Sequence, residues 1–208
     1  MTVYLSTERL TLRRFTANDL DDLVDLDSDP AVMFYVTGGR ATPRAEMRDV
    51  NLPWWLAYYD QHEGFGFWAA ISSAGVSSGG VSVAGAGPFL GWFHFRPDPD
   101  GPRSDGTRAG VELGYRLRRS AWGMGYATEG SRALIRKGFT ELSVDRVFAE
   151  TMAVNIASRR VMEKAGLSYI RTFHADWPDK IPGDEHGDVE YALTRTEWAT
   201  SQTGGSPA

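Results

Sequence analysis

Val111-Glu112-Leu113-Gly114-Tyr115-Arg116-Leu117, followed after a short spacer by Trp122-Gly123-Met124-Gly125-Tyr126-Ala127, is the stretch that decides the fold. Its first half places Val111, Leu113, Tyr115 and Leu117 at alternate positions, the period of a strand. Downstream, Ala127, Ser131, Leu134, Ile135 and Leu142 keep one face of a long helix, and Arg146 to Thr151 reads as another strand. Strand, glycine turn, helix and strand make one βαβ unit, whose strands lie parallel. Glycines at a strand-to-helix turn let the backbone approach a ligand closely. The free N–H groups and the dipole of the first helical turn then favour an anion, and a pyrophosphate fits. Arg118 and Arg119 add positive charge just before the turn. Taken alone, such a G-x-G reads as a simple turn that binds nothing; the surrounding strand and helix favour the anion site.

Outward from this unit, Leu10 to Phe15 alternates with period two and predicts a first strand. Thr16 to Asp19 supplies caps for Leu20, Leu23, Val24 and Leu26 at helical spacing. Pro30 and Pro43 stand at helix starts, and Pro53 is expected to kink or break the helix after Pro43. Phe65–Ile71 and Phe89–Phe95 read as strands joined through the Gly- and Ser-rich stretch Ser72 to Gly87. Pro97 to Thr107 reads as an exposed loop. Ile156 to Ala165 reads as a helix with Gly166 as its C-cap, ahead of strands at Leu167–Phe173 and Val189–Thr194. The expectation is an α/β (α+β) fold: a mixed, mainly antiparallel sheet of six to seven strands flanked by helices, with one central βαβ crossover. One domain is expected over 5–199, with a disordered tail at 200–208.

The 208 residues suit a single domain with a sizeable core. The absence of cysteine excludes disulfides, thiolate metal sites and an acyl-cysteine intermediate. A net charge of −5 argues against a nucleic-acid partner; it fits a cationic acceptor, and also ordinary solubility. No apolar run approaches the ~20 residues of a membrane span, and no leader pattern precedes the first strand, so a cytoplasmic location without membrane attachment is expected. His174, Asp176, Asp184, Glu185, His186 and Asp188 match no metal spacing and read as a polar loop; no metal is expected. Trp54, Trp55, Tyr58 and Tyr59 recur at helical spacing, which favours a core role over an acceptor groove.

Three further strings join the glycine loop. They are Thr7-Glu8-Arg9-Leu10-Thr11-Leu12-Arg13, Glu112-Leu113-Gly114-Tyr115, and Asn155-Ile156-Ala157-Ser158 running on to Glu163-Lys164-Ala165-Gly166-Leu167. Together they resemble the GNAT superfamily of acetyl-CoA-dependent N-acetyltransferases, and most nearly its Rim-type branch, which acetylates protein N-termini. The matches extend from about Leu5 to Leu193. In the family's loop pattern (Q or R, x, x, G, x, G or A), Gly125 and Ala127 match and Trp122 replaces Gln or Arg. The resemblance implies a V-shaped sheet that splays open beside the crossover and takes acetyl-CoA as co-substrate. The pyrophosphate would rest on the backbone of Trp122, Gly123, Met124, Gly125, Tyr126, Ala127 and Thr128, and the pantetheine arm on Tyr115, Arg116 and Leu117. Arg118 and Arg119 would supply what Trp122 does not. The Asn155-x-x-Ser158 turn would lie beside the thioester, and Arg159 and Arg160 against the phosphates.

Amide formation from a thioester needs a neutral amine, oxyanion donors and a proton for the departing thiolate. An α-amine has a pKa of roughly 7.7–8.0 against about 10.4 for lysine, so it needs little help from a base. Glu112 is the candidate base; a salt-bridged strand glutamate is the competing reading. Ser158 is the candidate proton donor, with Asn155 beside it, although an N-cap role alone would explain Asn155. The expected reaction is direct acetyl transfer to a primary amine, either a protein or peptide N-terminus or a small amine, by a monomer or homodimer. Two alternatives stay open: a catalytically silent CoA-binding module, and a dinucleotide-binding oxidoreductase domain. The latter wants Gly or Ala where Thr128 stands and an acid about 20 residues on, a place Glu150 could fill.

Overall fold

The computed structural model describes residues 2–73, 87–98, 110–176 and 180–203. The connection read at 74–86, most of the loop read at 97–107, and residues 204–208 lie outside the described residues. Strands β1 (Val3–Ser6), β2 (Leu10–Arg14), β3 (Gly66–Ser72), β4 (Phe89–Pro97), β5 (Val111–Leu117), β6 (Arg146–Met152), β7 (Ser168–Phe173) and β8 (Asp188–Thr194) form one sheet in spatial order 1-2-3-4-5-6-8-7. Every neighbouring pair is antiparallel except β5 and β6, which the crossover helix α5 (Tyr126–Glu141) connects. The expected architecture is present with one strand more than the expected six to seven. β1 was missed because it is a short edge strand held by distant partners: Tyr4 stacks on Trp68 at 3.6 Å and donates to the Gly64 carbonyl at 2.6 Å.

Alternate residues along the central strands feed two separate cores. Trp68, Phe93, Phe95 and Leu113 pack with Leu134, Ile135 and Phe139 of α5. Phe67, Ala69, Ile71 and Trp92 pack on the other face with α1 (Leu20–Ser28), α2 (Pro30–Thr37) and, beyond the single turn α3 (Arg44–Glu46), α4 (Leu52–Gln61). Burying each large apolar side chain contributes about 1.5–3 kcal/mol, so both faces anchor the sheet. The chain does not break at Pro53. A π-helical segment, Met47–Asn51, leads into α4 and leaves Pro53 in the first turn. The Leu52 amide reaches back five residues to the Met47 carbonyl, and this wider turn accommodates the proline ring.

Helix α6 (Ile156–Ala165) follows β6, and α7 (Arg195–Thr203) follows β8. α7 takes in the first four residues of the segment expected to be disordered. Its start is fixed by Glu197, whose carboxylate accepts from the Thr194 amide at 2.8 Å and hydroxyl at 2.6 Å, and Trp198 packs on Phe139 at 5.6 Å. No described helix is long and apolar enough to cross a membrane.

Candidate active site

The sheet opens beside β5. β5 and β6 are in register only at Val111↔Val147 and Glu112↔Phe148, while β4 pairs with β5 over its whole length. Among the described residues, the β6-facing edge of β5 from Leu113 to Leu117 therefore has no strand partner. Unpaired backbone donors and acceptors are costly away from water, so this edge is a ready site for an extended, hydrogen-bonding ligand. Tyr115, Arg116 and Leu117 lie on it.

At the far end of β5 the turn into α5 is built from backbone. Gly123 and Gly125 have φ of 72° and 84°, a left-handed conformation that costs other residues. No side chain caps α5, and its first internal bond runs from the Glu129 amide to the Gly125 carbonyl at 3.0 Å. The amides of Tyr126, Ala127 and Thr128 thus head the helix without an intrahelical partner, which suits an anion. Trp122 donates its indole N–H to the Leu117 carbonyl at 2.8 Å, so the residue at the divergent position fastens the turn to the end of β5.

The cations expected to serve this turn are turned toward α1. Arg118 pairs with Asp22 at 3.0 Å and with Asp25, Arg119 with Asp29 at 3.4 Å, and Arg116 with Asp27 at 2.6 Å. A cavity of about 490 Å³ lies between them, lined by Asp25, Leu26, Asp29, Val32, Arg118 and Ser120. The guanidinium at the turn itself is Arg9, which the sequence reading left without a role. Its Nη1 donates to the Met124 carbonyl at 2.8 Å, its Nε to Glu129 at 2.7 Å, and its plane lies 4.9 Å from the Tyr126 ring centre. Glu129 also accepts from the Thr7 hydroxyl at 2.6 Å and the Arg9 amide at 2.9 Å. Burial works against its carboxylate, but these bonds hold its pKa below the ordinary value. The Thr7-Glu8-Arg9 and Ala127-Thr128-Glu129 strings are thus two halves of one clamp.

Across the split, Asn155 caps α6. Its Oδ1 accepts from the Ser158 amide at 3.2 Å and its Nδ2 donates to Thr151 at 3.0 Å. The Tyr115 hydroxyl lies 2.9 Å from Ser158 Oγ and donates to the Ser158 carbonyl at 3.1 Å, joining β5 to α6. Burial pushes the Tyr115 phenol up to about 12, so it stays a proton-bearing donor at neutral pH. Arg159 faces away from the turn, donating to the Ala153 carbonyl at 2.9 Å and the Tyr191 hydroxyl at 3.1 Å. Arg160 is exposed.

Glu112 sits where the pairing ends. Strand parity puts it on the opposite face from Tyr115. Arg96 reaches its Oε2 with Nε at 2.8 Å and Nη2 at 2.6 Å, and His94 Nε2 stands 3.5 Å from Oε1. Burial alone would raise this carboxyl, but His94 and Arg96 outweigh it and hold it at about 2. His94 and Arg96 carry no distinctive sequence context, because the β4–β5 register is set across a long connection. The one legible signal is Gly114, since an isolated glycine inside a strand marks a close approach. Trp55, Tyr58 and Tyr59 are buried as expected, whereas Trp54 is half-exposed and packs on Phe67 at 5.3 Å. The residues from His174 to Asp188 include the short turn Asp184–His186, and among the described residues no three metal-ligating side chains converge.

Comparison with known proteins shows the family and the fold. The family model described as "Acetyltransferase (GNAT) domain" matches residues 9–168. The chain is 35% identical over 200 residues to the FsC-acetyl coenzyme A-N(2)-transacetylase of Aspergillus fumigatus, covering 95% of this chain and 79% of the relative. Two solved structures share the fold at lower identity. An aminoglycoside acetyltransferase in complex with coenzyme A matches at TM-score 0.66 and 21% identity, covering 93% of this chain and 99% of the other. The RimL ribosomal L7/L12 alpha-N-protein acetyltransferase, also with coenzyme A, matches at TM-score 0.66 and 15% identity, covering 93% and 98%.

Proposed function

The chain belongs to the GNAT acetyltransferases, and on that premise we propose that it transfers acetyl from acetyl-CoA directly to the α-amine of a small molecule. The observation that carries this reading is the departure of β5 from β6 after Glu112↔Phe148. It leaves a strand edge with a helix N-terminus at one end and hydroxyl donors at the other. The family uses acetyl-CoA, and the parts of the split fit it: pantetheine along Tyr115 to Leu117, pyrophosphate on the Gly123 to Thr128 backbone. The dinucleotide alternative loses its ground with the family assignment. A silent CoA-binding module is disfavoured by the hydrogen-bonded Tyr115–Ser158 pair, which a purely binding role does not need.

The chemistry divides between the two faces of the sheet. The amine reaches the thioester carbonyl from the α1 face, beside Glu112 and Trp54. The sulfur departs toward the other face, where Ser158, aligned by Tyr115 and by the Asn155 cap, supplies its proton. Once neutral, the nitrogen attacks the carbonyl carbon, the C–N bond forms and the C–S bond breaks. A small α-amine is preferred over a protein N-terminus because the relative at 35% identity is named an N(2)-transacetylase, whereas the ribosomal-protein enzyme shares only the fold. The test is an acetyl-transfer screen reading thiol release. It uses alaninamide, an alanine-initiated pentapeptide, Nα-acetyl-lysine, kanamycin and spermidine. Turnover is expected to be highest with alaninamide. Turnover confined to the lysine side chain or the polyamine defeats the α-amine reading, and no transfer to any of the five defeats the N-acetyltransferase reading.

A further inference from the structure

Resting on the N-acetyltransferase reading, we infer that His94, and not Glu112, takes the proton from the acceptor's ammonium group, with Glu112 as its positioning partner. Four observations on the α1 face carry this. The Nε2 atom of His94 is buried and has no hydrogen-bond partner. It stands 3.5 Å from Glu112 Oε1, too far for a well-formed hydrogen bond, with the carboxylate oxygen facing it. Gly114 lies directly across from His94 in the β4–β5 register and makes room for the ring. A Cβ at that position would stand 2.5 Å from both Cε1 and Nε2. Finally, Gly114 is two residues beyond Glu112, where pairing with β6 has ended, so the ring packs over the part of β5 that has left β6.

Glu112 is poorly suited to the role itself. Arg96 holds Oε2 through two guanidinium nitrogens, and a carboxylate fixed in an ion pair takes a proton from the amine less readily than an unpartnered imidazole nitrogen. The other charged and titratable neighbours are engaged elsewhere. Tyr58, on α4, keeps its phenolic proton because burial raises its pKa. Arg116 lies over Trp92 at 5.0 Å and pairs with Asp27. Phe67 and Trp92 wall the imidazole at 5.7 and 5.8 Å between ring centres. In the step itself, an R–NH3+ acceptor passes one proton to Nε2, leaving an imidazolium against Glu112. The neutral nitrogen forms the C–N bond as the C–S bond breaks. The nitrogen gives its second proton to solvent, and Ser158 gives its hydroxyl proton to the thiolate and takes one back from solvent, so the products are the amide, the CoA thiol and an unchanged serine. His94 then returns its proton to solvent.

The test compares two acceptors in wild type, His94→Gln, Gly114→Ala and Glu112→Gln: the most active amine of the panel above, and hydroxylamine, which is already neutral at pH 7. His94→Gln is expected to lower kcat/KM for the panel amine by about 10²- to 10⁴-fold near pH 7. The loss shrinks as pH rises and falls to within about tenfold with hydroxylamine. Gly114→Ala, which displaces the ring, is expected to show the same dependence on acceptor. An equal loss on both acceptors in both variants marks a structural role and overturns the inference. So does a low-pH limb that persists in His94→Gln and disappears in Glu112→Gln. If wild type acetylates none of the amines, the parent reading fails, and this one with it. If wild type acetylates them and His94→Gln does so equally well, only this one fails.

Discussion

Replacing Arg9 by alanine separates loop positioning from chemistry. The guanidinium makes one charge-assisted bond to the Met124 carbonyl and ties the same turn to Glu129. Such bonds contribute about 1.5–3 kcal/mol when buried. Arg9 is 41% exposed on its side chain, so screening brings the expected loss toward about 1 kcal/mol. At 1.4 kcal/mol per decade, that weakens CoA binding roughly five- to tenfold. On the proposed placement the turn takes the pyrophosphate end, remote from the reacting carbon, so the effect belongs in affinity. Calorimetric titration with CoA should show the weaker Kd. Steady-state kinetics should show a raised KM for acetyl-CoA with kcat within about twofold. High salt should narrow the gap between Arg9→Ala and wild type, because the lost contact is partly exposed. An unchanged Kd, or a kcat fall at saturating acetyl-CoA with KM unchanged, refutes the clamp.

Ser158→Ala is expected to reduce turnover at least tenfold with little change in acetyl-CoA affinity. Tyr115→Phe should do the same more mildly, since it misaligns the donor without removing it; stopped-flow thiol release alongside CoA titration checks both, and a pure affinity defect contradicts the assignment. Asp19→Asn breaks a nearly buried pair, with Arg13 at 2.5 Å, and is expected to cost about 3–5 kcal/mol of stability in urea at pH 7. Burial opposes the Asp19 carboxylate, but Arg13 and Thr16 hold its pKa below the usual value. Its contribution is therefore present above the unfolded pKa of about 3.9 and lost as pH falls through the folded value. The wild-type advantage should narrow in acid, and one that stays constant down to pH 2 argues against the linkage.

The strands at Leu10, Phe65, Phe89, Val111, Arg146 and Val189, the crossover helix and the α6 cap were all legible from local period and capping chemistry. So was the parity that puts Glu112 and Tyr115 on opposite faces, because side-chain alternation is a property of the strand alone. The glycine turn and the Asn155-x-x-Ser158 cap were legible for the same reason: each acts within a few residues of itself. What the chain alone left undecided is whatever joins segments far apart. Arg118 and Arg119 looked free to meet phosphate until α1 brought Asp22, Asp25 and Asp29 against them. Arg9 acquired a role only when the bend ahead of β2 met the head of α5, more than a hundred residues on. Glu112 looked like a base because its type and place suited one. Only the β4–β5 register set Arg96 directly across from it and His94 on the diagonal, and a carboxylate's proton affinity depends on what folding places around it. Composition, period and motif thus specified the scaffold and the glycine turn, and tertiary contact decided the charge and hydrogen-bond partners of the groups proposed to react.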